Sequence, residues 1–431
     1  MKPQTTGAGA AIITVVILLA ATQQLTCAQQ PRITIKERDV PTPNSAPHDI
    51  VFNNKTGTAW FTEINSNKIG KFDPKTEQFK QFDIPTPSSR PHGLVIDDDN
   101  NSNIIWFTEM SGSKIGKLDA ETGKVIEFPT PTPNSGPHTP IMGKGVMWFT
   151  EIQASKIGRL NLTSGVIDEF PTPTMSSSPY GIITEPGGNA WFAELTGHKI
   201  GKVDAKTGKI TEYPTPTNNS GTRRIAIDSG GKLWFTEYNA AKIGSFDPKT
   251  EEFKEYDTIS PSSGPYAISV DIHDNIWFSM TTNSYKVGMF NQTSAKLQEY
   301  DLPTPGTIIR FIYADSEGNV WFANNNNNKI GMIKAGGGDD DLGNPESLAQ
   351  HGPQPTLTQL EECKQLGIDI TNCSNAAILA KNRSNPDLPF SDEAIKQIQD
   401  QQNQISNSMY MIGIGAAIAG TIAFITLRKR K

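Results

Sequence analysis

The chain has 431 residues, a formal net charge of −6 and 36% hydrophobic residues, which allows one large domain with appendages. Mild acidity excludes an ordinary nucleic-acid binder, because a phosphate backbone demands a basic face. With 37 Gly and 30 Pro, the composition favours an all-β chain rich in turns.

Residues 1–28 read as a secretory signal. Lys2 supplies the positive start, residues 10–21 form an uncharged apolar core, and Thr26-Cys27-Ala28 offers small residues for cleavage before Gln29. The apolar core is shorter than the ~20 residues that a membrane span needs.

A repeat then governs residues 29–334. Trp-Phe is followed by Lys-Ile-Gly, first as Trp60-Phe61-Thr62-Glu63 and Lys68-Ile69-Gly70. All seven Trp of the chain sit in this motif, at Trp60, Trp106, Trp148, Trp191, Trp234, Trp277 and Trp321. The fourth repeat is typical, with short β-branched or aromatic runs at 209–213, 224–227, 233–236 and 242–246, bounded by Gly, Pro, Asn or Asp. Four short strands in a period of 40 to 50 residues make one propeller blade. The seventh repeat lacks its outer run, and the N-terminus has a spare one at 33–40. The expected fold is therefore an all-β, seven-bladed β-propeller whose N-terminal strand closes the last blade, leaving no ring joint open.

Residues 335–408 change to a Gly-, Asp-, Asn-, Gln- and Pro-rich composition and read as a linker and stalk. Cys363 and Cys373, the thiols left once the signal is removed, are expected to pair in an oxidising compartment. Residues 390–405 could hold a short helix capped by Ser391. Six Asn-x-Ser/Thr sequons, at Asn54, Asn161, Asn218, Asn291, Asn372 and Asn382, fit an exterior location. Residues 409–427 are uncharged and long enough to cross a bilayer as a transmembrane helix. The basic tail Arg428-Lys429-Arg430-Lys431 would stay in the cytoplasm. The reading is a single-pass cell-membrane protein with its propeller outside.

First strands line a propeller's channel, so their opening residues should crowd its mouth. These are His48, His92, His138, Tyr180, Arg223, Tyr266 and, in the seventh repeat, Ile308. Glu63, Glu109, Glu151, Glu194 and Glu237 end the second strands on the same rim; Met280 and Asn324 break that series. Each Glu precedes a repeated Lys (Lys68, Lys114, Lys156), so a ring of ion pairs is one reading of them. Three His in adjacent blades are a candidate site, since imidazole serves as base, acid or ligand and a concave mouth suits a ligand. The Trp-Phe pairs read as packing between blades, and the Asn run at 324–328 as a solvated turn.

Trp-Phe-Thr-Glu, a short polar turn, Lys-Ile-Gly, Pro-Thr-Pro and Pro-His-Gly together resemble the repeat of virginiamycin B (streptogramin) lyases, from residue 33 to 334. The resemblance implies a seven-bladed propeller. It also implies a magnesium-dependent carbon–oxygen lyase that opens a cyclic depsipeptide antibiotic by β-elimination across its ester, conferring resistance. It points to His138 as base, Glu151 as metal ligand, and His92 and Tyr180 as substrate-binding groups, because His, His, Tyr on consecutive blades occurs once. The family's second acid before the base is missing in Asn134-Ser135-Gly136-Pro137. Two other functions fit the repeat: a non-catalytic cell-surface propeller binding a small-molecule, peptide-like or protein ligand, and a lactone hydrolase, which wants more carboxylates around one ion than a single Glu per blade supplies.

Overall fold

A computed structural model describes residues 33–97 and 103–335. The signal segment, the Cys363–Cys373 stalk, the 390–405 helix, the 409–427 span and the sequons at Asn372 and Asn382 lie outside the described residues. Within them every regular element is a strand, arranged as seven four-stranded antiparallel sheets. The first blade is formed by β2 (Pro47–Asn53), β3 (Thr58–Glu63), β4 (Lys68–Asp73) and β5 (Gln78–Asp83), paired in chain order. β1 (Ile33–Asp39) pairs instead with the last strand, Lys329–Ala335, from Ile33↔Ala335 to Asp39↔Lys329. The ring closes as expected, one residue beyond the expected boundary at 334.

The motif has a mechanical reason. Phe61 and Gly70 are cross-strand partners, and the Phe ring lies flat on the glycine. A Cβ at Gly70 would meet Phe61 Cζ at 2.2 Å, and the other six blades repeat this contact, down to Phe322 on Gly331. Glycine is required there because a ring occupies the side-chain position. The Trp packs outward on the next blade: Trp60 joins Leu94, Ile105 and Phe107 of the second. These side chains are all but fully buried, each contributing on the order of 2–3 kcal/mol of transfer free energy.

The Asn run is a latch between the seventh and first blades, not a solvated turn. Asn328 Nδ2 donates to the carbonyls of Val40 and Thr42 (both 3.0 Å), while Oδ1 accepts from the Ser45 amide and hydroxyl (2.7 and 2.8 Å). Asn325 Nδ2 reaches the Ala46 and Pro47 carbonyls. Asn324, fully buried, instead donates within the seventh blade, to Glu37 Oε1 of β1 at 3.1 Å. Asn67 makes the same four bonds as Asn328 between the first and second blades.

Asn328 also holds a φ of 57°, a conformation that Asn tolerates better than Ala. Asn328→Ala should therefore cost about 2–4 kcal/mol in denaturant unfolding. Asn326→Ala, at an exposed position with bonds only to its own blade, should cost less than half of that.

Candidate functional site

Each first strand enters the channel through a register shift, for example between Pro47 and Ile50 in the first blade and Pro137 and Pro140 in the third. The shift is common to all seven blades. In six blades it takes two consecutive residues out of the ladder, in the seventh Arg310 alone, and in five blades a hydroxyl repairs the gap. Thr62 Oγ1 accepts from the Asp49 amide (3.1 Å) and donates to the His92 carbonyl of the next blade (2.8 Å). Thr108, Thr150, Thr236 and Ser279 do the same, ending on the carbonyls of His138, Tyr180, Tyr266 and Ile309. The Thr of Trp-Phe-Thr-Glu therefore sets the spacing of the mouth residues. Neighbouring strands come so close that a Cβ on Gly181 would lie 2.8 Å from the Arg223 carbonyl.

The mouth residues are His48, His92, His138, Tyr180, Arg223, Tyr266 and Arg310. The seventh differs from the expected Ile308. Ile309 faces Asn324 as Thr222 faces Glu237, so Arg310 takes the place of Arg223. The loops before the two strands are equally long, 215–221 and 302–308, but the Gly-Thr pair at 306–307 lies two residues ahead of the place that Gly221-Thr222 occupies, so matching one pair to the other stops two residues short of Arg310.

The mouth divides into two halves. On one side the rings lie tilted against one another: His48 on His92 (centroids 3.9 Å), His92 on His138 (3.6 Å), and His138 on Tyr180 (4.1 Å). On the other side Tyr and Arg alternate. The Arg223 guanidinium lies over Tyr238, Tyr266 and Tyr180, and donates to the Tyr180 hydroxyl at 3.3 Å. Arg310 lies over Tyr266. The hydroxyls of Tyr180 and Tyr266 share a short hydrogen bond.

Just inside, Arg224 crosses the channel from the fifth blade to the first. Its Nη2 meets Asp49 Oδ1 at 2.8 Å, and its Nη1 donates to Thr139 Oγ1 at 2.9 Å. Asp49 Oδ1 also takes His48 Nδ1 (2.8 Å), and Thr139 Oγ1 meets His138 Nδ1 (2.9 Å). One guanidinium thus orients two imidazoles. Burial, and then the charges of Arg224, Arg310 and Arg90, hold His48 well below the usual imidazole range. Burial, then His48, lowers His92, and burial, then His92 and Arg224, lowers His138. All three are neutral bases at neutral pH. Burial raises Asp49, against the pull of Arg224, and raises the Tyr180 phenol, which Tyr266 pushes further up.

The structure takes the Glu series elsewhere. Lys114 Nζ binds Glu127 Oε2 (2.7 Å) on the outer strand rather than Glu109, and Lys156 and Lys199 bind Glu169 and Glu212 likewise. Lys68 pairs with Asp83. The ring of Glu–Lys ion pairs is thus replaced by Lys pairs with outer-strand acids. Glu109, Glu151, Glu194 and Glu237 are fully buried, each with its carboxyl beside an outer-strand Glu: Glu127, Glu169, Glu212 and Glu255. Burial, together with the adjacent outer-strand Glu, pushes Glu109 and Glu151 up to about 7 and Glu194 and Glu237 up to about 8. Burial would also raise Glu127, Glu169 and Glu212, but bonds from Lys and Thr bring them below their ordinary value. The end blades use an amide in place of one acid. Gln81 donates to Glu63 (2.7 and 2.9 Å), and Asn324 to Glu37. Each Glu–Glu pair thus does with a retained proton what Glu63–Gln81 does with an amide.

Of the residues expected to act together, His92, His138 and Tyr180 are in contact. Glu151 turns its carboxyl toward Ser135 and Glu169 instead. A metal-competent group among the described residues is His48, Asp49 and His92, whose ligand atoms lie within 4.8 Å of one another. Sequence reasoning missed Asp49, Arg224 and Arg310. The signal was present for Arg224, a second Arg at a position where the other repeats have Asp, Gly, Thr, Ala or Phe, but strict alternation would turn it away from the channel.

A sequence profile described as the virginiamycin B lyase family matches residues 100–286 and 205–347. The propeller is similar to a streptogramin B lyase structure at 33% identity, spanning 70% of this chain and 98% of the other with a TM-score of 0.65. It is also similar to virginiamycin B lyase from Staphylococcus aureus at 28% identity, over 70% and 99% of the two chains, TM-score 0.65. A catalytically inactive His-to-Ala variant of the S. aureus enzyme, solved with quinupristin, matches at 27% identity over the same shares and with the same TM-score. No curated protein matches the sequence.

The Glu pairs give stability a sign with pH. A carboxyl raised from its ordinary range to about 8 keeps a proton in the folded state that the unfolded chain has released. Stability from Glu194 is therefore full below about pH 4.5 and lost as pH rises toward 8. Glu194→Gln, which copies the Asn324–Glu37 arrangement, should stabilise the protein by on the order of 1–3 kcal/mol at pH 8.5 and by nothing at pH 4. Urea unfolding at the two pH values measures this; an equal effect at both would contradict it.

Proposed function

Because this chain belongs to the virginiamycin B lyase family, we propose that its channel mouth breaks an ester carbon–oxygen bond by β-elimination. The observation carrying this reading is the juxtaposition of neutral imidazoles and an arginine–tyrosine half across one mouth. His138 is the imidazole that touches Tyr180, so it borders both halves and is the proposed base. It takes the proton α to the ester's neighbouring carbonyl, and an uncharged imidazole is the form that can. The electron pair moves toward the carbonyl oxygen, where Arg223 and the Tyr180 hydroxyl offer donors to the enolate. It then returns to form the carbon–carbon double bond as the β-carboxylate leaves. The proton on His138 passes to that carboxylate, and no water is consumed. His92 and Tyr180 flank the base and hold the substrate.

The family resemblance brings magnesium with Glu151 as ligand. Magnesium wants several oxygen donors in near-octahedral array. Glu151 lies against Glu169, in an arrangement that Glu109, Glu194 and Glu237 repeat on three other blades. The alternative group of His48, Asp49 and His92 is rich in nitrogen, and its one carboxylate is taken by Arg224. These residues do not make a magnesium site. The location proposed with this function, a single-pass anchor with the propeller outside the cell, rests on residues 1–28 and 409–431 alone.

The test incubates the full chain with a type B streptogramin, with and without magnesium. Elimination opens the ring with no change in mass, whereas a lactone hydrolase would add one water. His138→Ala should lower kcat on the order of 10²–10⁴-fold. Because the imidazoles are held below their ordinary range, kcat/KM should stay flat as pH falls through 6.5. No turnover, or turnover indifferent to His138→Ala, would favour the non-catalytic binding propeller.

A further inference from the structure

The arginine–tyrosine half of the mouth holds positive charge that the protein does not neutralise. Arg224 is bound to Asp49. Arg223 and Arg310 have no carboxylate within ion-pair distance among the described residues, and Arg223 Nε is buried without a partner. What holds Arg223 is the faces of aromatic rings: its Cζ lies 4.1 Å from the Tyr238 centroid, 4.6 Å from Tyr266 and 5.2 Å from Tyr180. Arg310 lies 4.8 Å from Tyr266. Ring faces stabilise a guanidinium without cancelling its charge or using its in-plane donors. Thr282 donates to the Tyr238 hydroxyl at 3.2 Å, which leaves the phenol proton free to donate in turn. Arg90 adds a third cation at the second blade. It stands at φ 54°, where three other blades place glycine, a cost of about 1–2 kcal/mol.

We infer that this mouth is a receptor for a ligand bearing an oxyanion, carboxylate or phosphate, whose oxygens meet the planar forks of Arg223 and Arg310. Guanidinium forks match two oxygens at once, and an unpaired, half-buried one gains most from such a partner. The body of the ligand then lies over the row of imidazoles and the rings of Tyr180 and Tyr266. In a chain of net charge −6, a cationic mouth is also a local exception that draws anions past an otherwise repelling surface. The inference goes beyond the lyase reading and needs no turnover, although a carboxylate is also what ester elimination releases.

Titration calorimetry of the full chain at low salt, with benzoate and separately with inorganic phosphate, tests it. Saturable binding of at least one is expected, weakened about tenfold or more in Arg223→Gln and in Arg310→Gln. Arg223→Lys, which keeps the charge and loses the fork, should fall between. Lys232→Gln on the opposite rim should leave binding unchanged, and thermal melting confirms that each variant is folded. Preference for benzoate assigns a carboxylate ligand, and preference for phosphate a phosphorylated one. Failure of both anions to bind saturably, or binding equal to wild type in both glutamine variants, overturns the inference. Arginine-dependent binding without streptogramin turnover would sink the lyase reading alone; turnover without such binding would sink this inference alone.

Discussion

Arg224 and Asp49 meet across the channel from the fifth and first blades, each at most 2% exposed. A buried ion pair is favourable only when further hydrogen bonds occupy its remaining atoms. Here those bonds go to the site. Asp49, ionised beside the guanidinium, can only accept, so His48 carries its proton on Nδ1 and turns a bare Nε2 away from Asp49. Thr139, accepting from Arg224, sits against His138 Nδ1. The same guanidinium charge that orients these rings also discourages their protonation. Geometry and charge state of the imidazole half thus have one cause.

The blades explain why such a pair could be built without disturbing the fold. Phe on Gly, Trp on the next blade and Thr between first strands repeat around the ring, and these contacts leave the side chains at the mouth unspecified. The residues that define the site are those at which the repeats disagree: His on three blades, alternating Tyr and Arg on four, and Asp49, Thr139 and Arg224 one position further in. Gly93, Gly181 and Ala267 occupy that inner position on other blades and leave room for the Arg224 side chain.

Blade number and ring closure were legible in the sequence because both rest on regular signals, the Trp period and the count of outer strands. The contact of His92, His138 and Tyr180 was legible for the same reason. The direction of Glu151 was not. A residue at a strand end shows its rim in sequence but not which neighbour its carboxyl turns to, and here the outer-strand Glu169 decides. Arg224 was hidden because a bulge points two successive residues into the channel, against the period-2 rule. Arg310 was hidden by a Gly-Thr pair at 306–307 that imitates Gly221-Thr222 two residues too early, and the latch at Asn325 and Asn328 by a composition that elsewhere marks solvated turns.

The most direct test of the Arg224–Asp49 account reads the protons on the histidines themselves. Long-range proton–nitrogen correlation spectra of the ¹⁵N-labelled full chain at pH 7, with His48 assigned through His48→Gln, report charge and tautomer together. The account predicts a neutral His48 protonated on Nδ1, with that signature lost in Asp49→Asn. A doubly protonated His48, or one carrying its proton on Nε2, would contradict it.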